Sequence, residues 1–246
     1  MKKHAAVISS KEMIQENICS MTLQTDEPLE ARPGQFLHLL PPGEGRFILR
    51  RPISICEIEE TECRIVFRLE GDGTKAVAKQ NSGDKLDVLG PLGQGFPDIQ
   101  SGTVLLIGGG VGVPPLLAAA EQLHKNGVRI QARIGFADQN QVMLVEEMEK
   151  WAETIVYTED GSAGRKGRVT DELETDNGFD TYFACGPKPM LKAVEAKAPA
   201  SGYVSLEERM GCGFGACYAC VMEKEDGTLV KACLDGPVFQ SREVLL

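Results

Sequence analysis

Short runs of alternating or β-branched residues follow one another through residues 1 to 98: His4–Ser9, Ile18–Thr25, Gln35–Leu40, Ile53–Ile58, Arg64–Leu69 and Lys85–Leu89. The turn signals Arg-Pro-Gly-Gln, Pro-Pro-Gly-Glu-Gly and Gly-Asp-Gly-Thr separate them. Strands at this rhythm predict a small β-barrel. Thr74 stands where it can cap a short helix over Thr74–Gln80.

From 102 to 200 the pattern changes to strand alternating with helix. Strands are predicted at Val104–Ile107, Val128–Ile134, Thr154–Tyr157 and Thr181–Cys185, and helices at Pro114–Asn126, Val142–Trp151, Arg168–Thr175 and Lys188–Ala196. That alternation predicts an α/β doubly wound parallel sheet, whose ligands bind at the carboxyl ends of the strands. Residues 201 to 246 are too few to bury much core alone. A hairpin of Ala219–Lys224 and Thr228–Ala232 is expected around Glu225-Asp-Gly227.

Composition narrows the class. A chain of 246 residues suffices for two domains, and 42% hydrophobic with 25% charged residues is ordinary for a soluble globular protein. A formal net charge of −10 argues against nucleic-acid binding and fits poorly with an anionic membrane. The longest apolar stretch, Thr103–Ala120, is broken by glycines and by Pro114-Pro115, so no membrane span is expected. The N-terminal residues lack the apolar core of a signal peptide, which predicts a cytoplasmic protein with reduced thiols.

The sharpest chemical signal is Cys212, Cys217, Cys220 and Cys233, spaced C-x4-C-x2-C-x12-C. This is the plant-type spacing for a [2Fe–2S] cluster: three thiolates wrap the cluster from one loop and the fourth arrives from a separate segment. Gly211, Gly213 and Gly215 are expected to give the loop positive φ angles and to aim backbone N–H groups at sulfur. Zinc also takes four thiolates, but its structural sites usually come as two C-x2-C pairs and one is present here. A metal centre in this short segment would supply much of its folding free energy. The remaining cysteines, Cys19, Cys56, Cys63 and Cys185, read first as small buried hydrophobes.

Gly108, Gly109, Gly110 and Gly112 follow a strand and open a helix, a variant of the dinucleotide-binding turn in which backbone approaches a pyrophosphate. Asp138, just past the next strand, is placed to bond ribose hydroxyls and repel a 2′-phosphate, or is a solvated loop residue. In Arg51-Pro-Ile-Ser54 an arginine and a serine flank a fixed backbone, suited to clamping a phosphate, and Gly73-Thr74 begins a helix and offers a second anion site.

Taken together, Arg50-Arg-Pro-Ile-Ser54, Phe67–Thr74, Gly90–Phe96, Gly108–Pro115, Thr158–Ser162, Ala184-Cys-Gly-Pro-Lys-Pro-Met190 and Glu207–Cys220 resemble the ferredoxin–NAD(P) reductase superfamily across essentially the whole chain. The likeness is closest to the electron-transfer subunits of type B dihydroorotate dehydrogenases. It implies an FAD-binding barrel over 1–98, with Arg51, Pro52, Ile53, Ser54, Arg68, Leu69, Glu70, Gly73 and Thr74 around the flavin and its phosphates. It implies NAD binding over 102–200, at Gly108–Gly112 with Gly186 and Pro187, and Cys185 near the nicotinamide–flavin contact. It further implies a [2Fe–2S] segment over 201–246, and a catalytic FMN-containing partner subunit in a heterotetramer. Electrons would pass between that FMN and NAD+ while dihydroorotate is oxidised to orotate. A reductase subunit of a different complex, such as a hydrogenase or a transhydrogenase-type flavoprotein, and a non-enzymatic redox-sensing module are the alternatives left open.

Overall fold

A computed structural model describes residues 2–43 and 45–246; Met1 and Glu44, the latter part of the Pro-Pro-Gly-Glu-Gly turn signal, lie outside the described residues. The first six strands are β1 (Lys2–Gln15), β2 (Ile18–Gln24), β3 (Phe36–Leu40), β4 (Arg51–Ile58), β5 (Glu62–Arg68) and β6 (Lys85–Leu92). They close an antiparallel barrel in the order β1-β2-β5-β4-β3-β6, with β6 pairing back on β1. Alternation does the sorting. Ile8, Leu37, Leu39, Ile65 and Phe67 fill the barrel, whereas Phe36 joins the core shared with the C-terminal segment. β1 runs well beyond the predicted Ser9, because past a register shift its solvated half still pairs with β2, Met13 opposite Cys19. Between β5 and β6 lies α1 (Asp72–Ala78). Its N-cap is Gly71, not Thr74. The Thr74 hydroxyl sits inside the first turn, accepting the Glu70 N–H at 3.1 Å and donating to the Gly71 carbonyl at 3.1 Å.

The α/β region continues with β7 (Thr103–Gly109), a 3₁₀ turn at Gly110–Gly112, α2 (Val113–Lys125), β8 (Arg129–Phe136), α3 (Val145–Glu149), β9 (Glu153–Thr158), β10 (Arg165–Lys166), β11 (Thr181–Cys185) and α4 (Lys188–Lys197). The last stretch adds β12 (Gly202–Ser205), the hairpin β13 (Val221–Glu223) and β14 (Leu229–Lys231), and β15 (Val238–Gln240). The sheet order is β10-β9-β8-β7-β11-β12-β15, parallel except for β15. β12 and β15 were not anticipated. Through them the residues after 200 share the core of the sheet: Met222, Val230, Phe239 and Val244 pack with Leu105, Tyr182 and Val204. The segment therefore does not depend on a metal centre alone for its hydrophobic burial.

Two predicted helices are cut down. Over 142–151 only α3 is helical, because Leu144 adopts the left-handed region (φ 59°) and the Val142 carbonyl accepts from Gln15 at 2.7 Å. Over 168–175 there is one 3₁₀ turn, Leu173–Thr175. The buried Arg133 guanidinium takes the Asp171 carbonyl (2.9 Å) and pairs with Asp176 (2.5 Å), while Asp171 caps the Arg168 N–H. These long-range and side-chain bonds replace the helical ladder. Barrel and sheet meet across one apolar cluster, with Ile18, Cys56 and Val66 packed against Val113, Leu116 and the rest of α2.

Candidate functional site

β7 is flanked by β8 on one side and β11 on the other, so the strand order reverses between β7 and β11. This switch point brings Gly108 opposite Cys185. The crowding there explains the glycines. A Cβ on Gly112 would fall on the Cys185 carbonyl and 2.6 Å from the Gly186 nitrogen; one on Gly109 would lie 2.6 Å from Met190 Sδ. Gly110 alone among these four needs the left-handed region (φ 54°), and it is half-exposed at the mouth of the turn. Pro114 and Pro115 have no N–H, so the start of α2 presents few donors.

Cys185 is buried. Burial first, then the Glu207 charge, pushes its thiol up to about 12 against a hydrogen bond with Ser205, so it stays neutral and packs rather than attacks. Glu207 is an exposed residue whose carboxyl feels Glu70 and Arg68. Desolvation, then Glu70, raises its pKa, and Arg68 opposes them. Arg68 Nη1 is 3.8 Å from Glu70, its Nη2 would be 3.4 Å from a Cβ on Gly110, and its Nε is buried without a hydrogen-bond partner among the described residues. Barrel, glycine turn and C-terminal segment therefore meet at Arg68. Asp138 is half-buried at the carboxyl end of β8, where its carboxylate accepts from Asn140 N (2.8 Å) and Gln141 Nε2 (3.1 Å).

Arg51, Pro52, Ile53 and Ser54 lie on β4, each half-buried, opposite Leu39, His38, Leu37 and Phe36 of β3. The Arg51 guanidinium is braced by the Leu49 carbonyl (2.7 Å) and lies against Gly73, where a Cβ would come 2.5 Å from its Nε. The structure thus places Arg51 against the Gly73-Thr74 turn. Beside them is a cleft of about 560 Å³, lined by Arg46, Phe47, Leu69, Asp72 and Lys75. Leu69 was singled out from the sequence; Arg46 and Phe47 were missed because they sit in a turn with no periodic signal. Arg46 and Arg51 lie 5.3 and 5.9 Å from the Phe47 ring centroid. Arg50 points elsewhere, tying β3 to β6 through the His38 carbonyl and Asp87.

The four C-terminal cysteines fall in two neighbouring pairs, the Cys212 N–H donating to Cys217 Sγ and Cys220 lying beside Cys233. Among the described residues no group of three or more His, Cys, Asp or Glu converges as a single-ion site would require. Two thiol pairs are what a two-iron centre needs, one pair per iron. Backbone amides already face the sulfurs: Phe214 N and Ala216 N to Cys212 (3.5 and 3.2 Å), Cys212 N to Cys217 (3.2 Å) and Gly215 N to Cys233 (3.2 Å). Burial raises the Cys212 thiol, but the Phe214 and other amide donors outweigh it and hold it at about 6. Burial first, then Cys220, pushes Cys233 up to about 12, a balance that a bound metal charge reverses. Gly213 and Gly215 have positive φ (81° and 88°), as does Tyr218 (58°). Gly211 does not; it is small because a Cβ would lie 2.9 Å from Cys217 Sγ. Lys231, unnoticed in the sequence, donates to the Gly215 carbonyl (2.7 Å) and covers the Tyr218 ring at 3.8 Å. The hairpin returns the chain so that Ala232 N bonds the Cys220 carbonyl, which delivers Cys233.

Known proteins match both halves of this arrangement. The profile described as the iron–sulfur cluster binding domain of dihydroorotate dehydrogenase B matches residues 207–245, and that of the oxidoreductase NAD-binding domain matches 106–196. The dihydroorotate dehydrogenase B (NAD(+)) electron transfer subunit of Bacillus caldolyticus is 45% identical over 249 residues, covering 97% of each chain. Its counterpart in Streptococcus mutans is 44% identical over 257 residues, covering 100% of this chain and 99% of its own. A solved structure of an NADH-dependent reduced ferredoxin–NADP oxidoreductase superposes with a TM-score of 0.90 at 32% identity, over 98% of this chain and 90% of that one. A flavohemoglobin from Malassezia yamatoensis shares the fold at a TM-score of 0.70 and 20% identity, over 80% and 56% of the two chains. With identity at this level along its whole length, the chain belongs to the family of dihydroorotate dehydrogenase B electron transfer subunits.

Proposed function

We propose that this chain is the electron-transfer subunit of an NAD-dependent dihydroorotate dehydrogenase, acting in the cytoplasm beside a catalytic FMN-containing subunit, with a heterotetramer as the expected assembly. The observation that carries the reading is the four-thiol loop lying inside the matched stretch 207–245 of a chain alike from end to end. Among the described residues no helix is long and apolar enough to cross a membrane. When bound, FAD takes up or gives back electron pairs at NAD and the [2Fe–2S] centre carries electrons singly, so together they join a two-electron carrier to one-electron steps.

The chain's own residues bind, align and insulate. We assign residues 1–98 to FAD, 102–200 to NAD and 201–246 to the cluster. Arg51 and the Gly73-Thr74 turn hold the flavin phosphates; Pro52, Ile53 and Ser54 form the wall beside the ring. Phe47, Arg46 and Lys75 line a cleft suited to the adenosine half. Arg68, Leu69 and Glu70 close the edge of the flavin site where it meets Gly110. The amides of Gly108, Gly109, Gly110 and Gly112 receive the NAD pyrophosphate, and Gly186-Pro187 with the neutral Cys185 flank the nicotinamide. Asp138 has lone pairs left beyond its two internal bonds, and these meet the adenosine ribose. Cys212, Cys217, Cys220 and Cys233 ligate the irons. Exposed Phe214 and Tyr218 on the loop, with exposed Leu234 packed against Gly215, lie beside exposed Cys217, which makes this face the docking surface for the partner. Nearby, Glu207 lies beside Arg68 and Glu208 pairs with Lys188.

Anaerobic stopped-flow mixing tests the reading. NADH should bleach the isolated chain, and dihydroorotate should do so only after the partner subunit is added. Bleaching of the isolated chain by dihydroorotate would place the substrate site here and overturn the subunit assignment. The likeness to the ferredoxin–NADP oxidoreductase structure supports a second reading, a reductase subunit of another complex. Identification of the subunit that co-purifies from the native source separates the two.

A further inference from the structure

His38 is the one fully buried histidine of the chain among the described residues, and it is not in the barrel core. Its neighbours Leu37 and Leu39 point inward; the His38 ring points the other way, from β3 toward the cysteine loop. There it fills the space beside Gly213. A Cβ on that glycine would fall on His38 Nδ1 and lie 2.9 Å from Cε1 and 3.2 Å from Cγ. The Cys212 backbone is also beside the ring, and Phe36 holds it edge-on with centroids 6.3 Å apart. Yet neither ring nitrogen has a hydrogen-bond partner of good geometry among the described residues. A buried imidazole always carries at least one N–H, and leaving a buried donor unpaired costs about 1–3 kcal/mol. The unpaired nitrogens therefore point to a group that completes the site. The nearest backbone acceptors, at Cys212 and Arg50, do not meet a ring nitrogen at hydrogen-bond geometry, and the ring lies against Gly213, next to Cys212, whose sulfur already accepts loop amides. His38 pairs with Pro52 on the adjacent strand, so the ring that meets Gly213 shares one face of the sheet with the proposed flavin wall.

We propose that His38 is a positioning residue for the iron–sulfur centre, a buried imidazole from the flavin barrel that seats the Cys212-Gly213 turn and directs a ring N–H at the sulfur atoms gathered by that turn. The inference rests on the assignment of a [2Fe–2S] centre to the four cysteines. A hydrogen bond to cluster sulfur stabilises the more negative, reduced state and raises the reduction potential. The barrel thereby fixes both the distance of the loop from the flavin wall and the ease with which the centre is reduced.

The test uses the full chain with its cofactors. Wild-type protein is labelled with ¹⁵N-histidine, reduced anaerobically with dithionite and examined by pulsed EPR. A histidine nitrogen coupling is expected on the reduced-cluster signal, and His38→Asn, which keeps a donor near the Nδ1 position, should lose that coupling while keeping iron, sulfide and FAD. His38→Leu should lower the midpoint potential and slow the reduction of the cluster by NADH about tenfold, in the range found for partners just outside metal ligands; His38→Asn should restore most of both. A normal cluster signal without histidine coupling overturns the proposal, and so does a wild-type potential in His38→Leu. If His38→Leu does not fold, the labelled wild-type spectrum decides alone. Absence of any [2Fe–2S] signal from the wild-type chain would instead refute the metal assignment on which the proposal stands.

Discussion

Gly112→Ala is the most exacting perturbation of the dinucleotide site. The added methyl would lie on the Cys185 carbonyl and 2.6 Å from the Gly186 nitrogen, and both are backbone atoms of the adjoining strand end. No rotamer change relieves such a contact, so the turn and the Cys185-Gly186 segment must separate. Overpacking of this kind costs about 1–3 kcal/mol. For a chain of this size each kcal/mol lowers Tm by roughly 2–4 °C, so a fall of several degrees is expected. The displaced elements are the two proposed to flank NAD, so NADH binding should weaken by at least about tenfold, equivalent to ~1.4 kcal/mol. The matched control is Gly71→Ala, where an added Cβ meets nothing within 4 Å and φ is −116°. It should cost about 0.5–1 kcal/mol, because alanine is a poorer helix N-cap than glycine, and should leave NADH affinity unchanged. Differential scanning calorimetry and equilibrium titration of flavin-loaded protein with NADH measure both quantities. If Gly112→Ala matched Gly71→Ala in Tm and NADH affinity, the close approach at the switch point would not govern this site.

Three further outcomes are expected. Cys217→Ser should lose most bound iron and labile sulfide while FAD stays in the barrel, whereas Cys19→Ser, a substitution inside the barrel, should keep both chromophores; metal analysis and visible spectra decide. Asp138→Asn combined with Gln139→Arg should narrow the preference for NADH over NADPH by about tenfold, ~1.4 kcal/mol, read from the two kcat/KM values; an unchanged ratio would leave Asp138 as only the cap of its own turn. Burial raises the Asp87 pKa, but hydrogen bonds from Lys3 and Arg50 outweigh it and the net shift is downward. Its stabilisation is therefore present above the unfolded carboxyl pKa of about 4 and is lost as pH falls through the lower folded value, so Asp87→Asn should flatten the acid side of the Tm–pH curve.

What could be read along the chain was what depends on near neighbours. The cysteine spacing, the glycine run after a strand, Arg51-Pro-Ile-Ser54 and the barrel alternation are local patterns; in the structure Gly108 stands opposite Cys185 at the strand ends, and Gly215 N donates to Cys233 Sγ from a separate segment. Turn chemistry was local too, as Gly227 and the Asp226 carboxylate bonding Thr228 N show. The misses share another cause. Residues 168–175 have helical periodicity, but Arg133, more than thirty positions away, takes their carbonyls. β12 and β15 are four and three residues long, too short to announce themselves until the sheet edge that pairs them exists. Thr74 sits one turn inside the helix it was expected to cap because Gly71, free of a side chain, already holds the capping geometry.

His38 makes the division plainest. In Phe36-Leu-His-Leu-Leu40 a polar residue at an alternate position reads as the solvated face of a strand. It is instead completely buried, because a loop 175 residues further on folds over it with a glycine at the point of contact. Periodicity tells which face a side chain takes; what covers that face is decided by contacts between distant segments, whose closure no local pattern encodes.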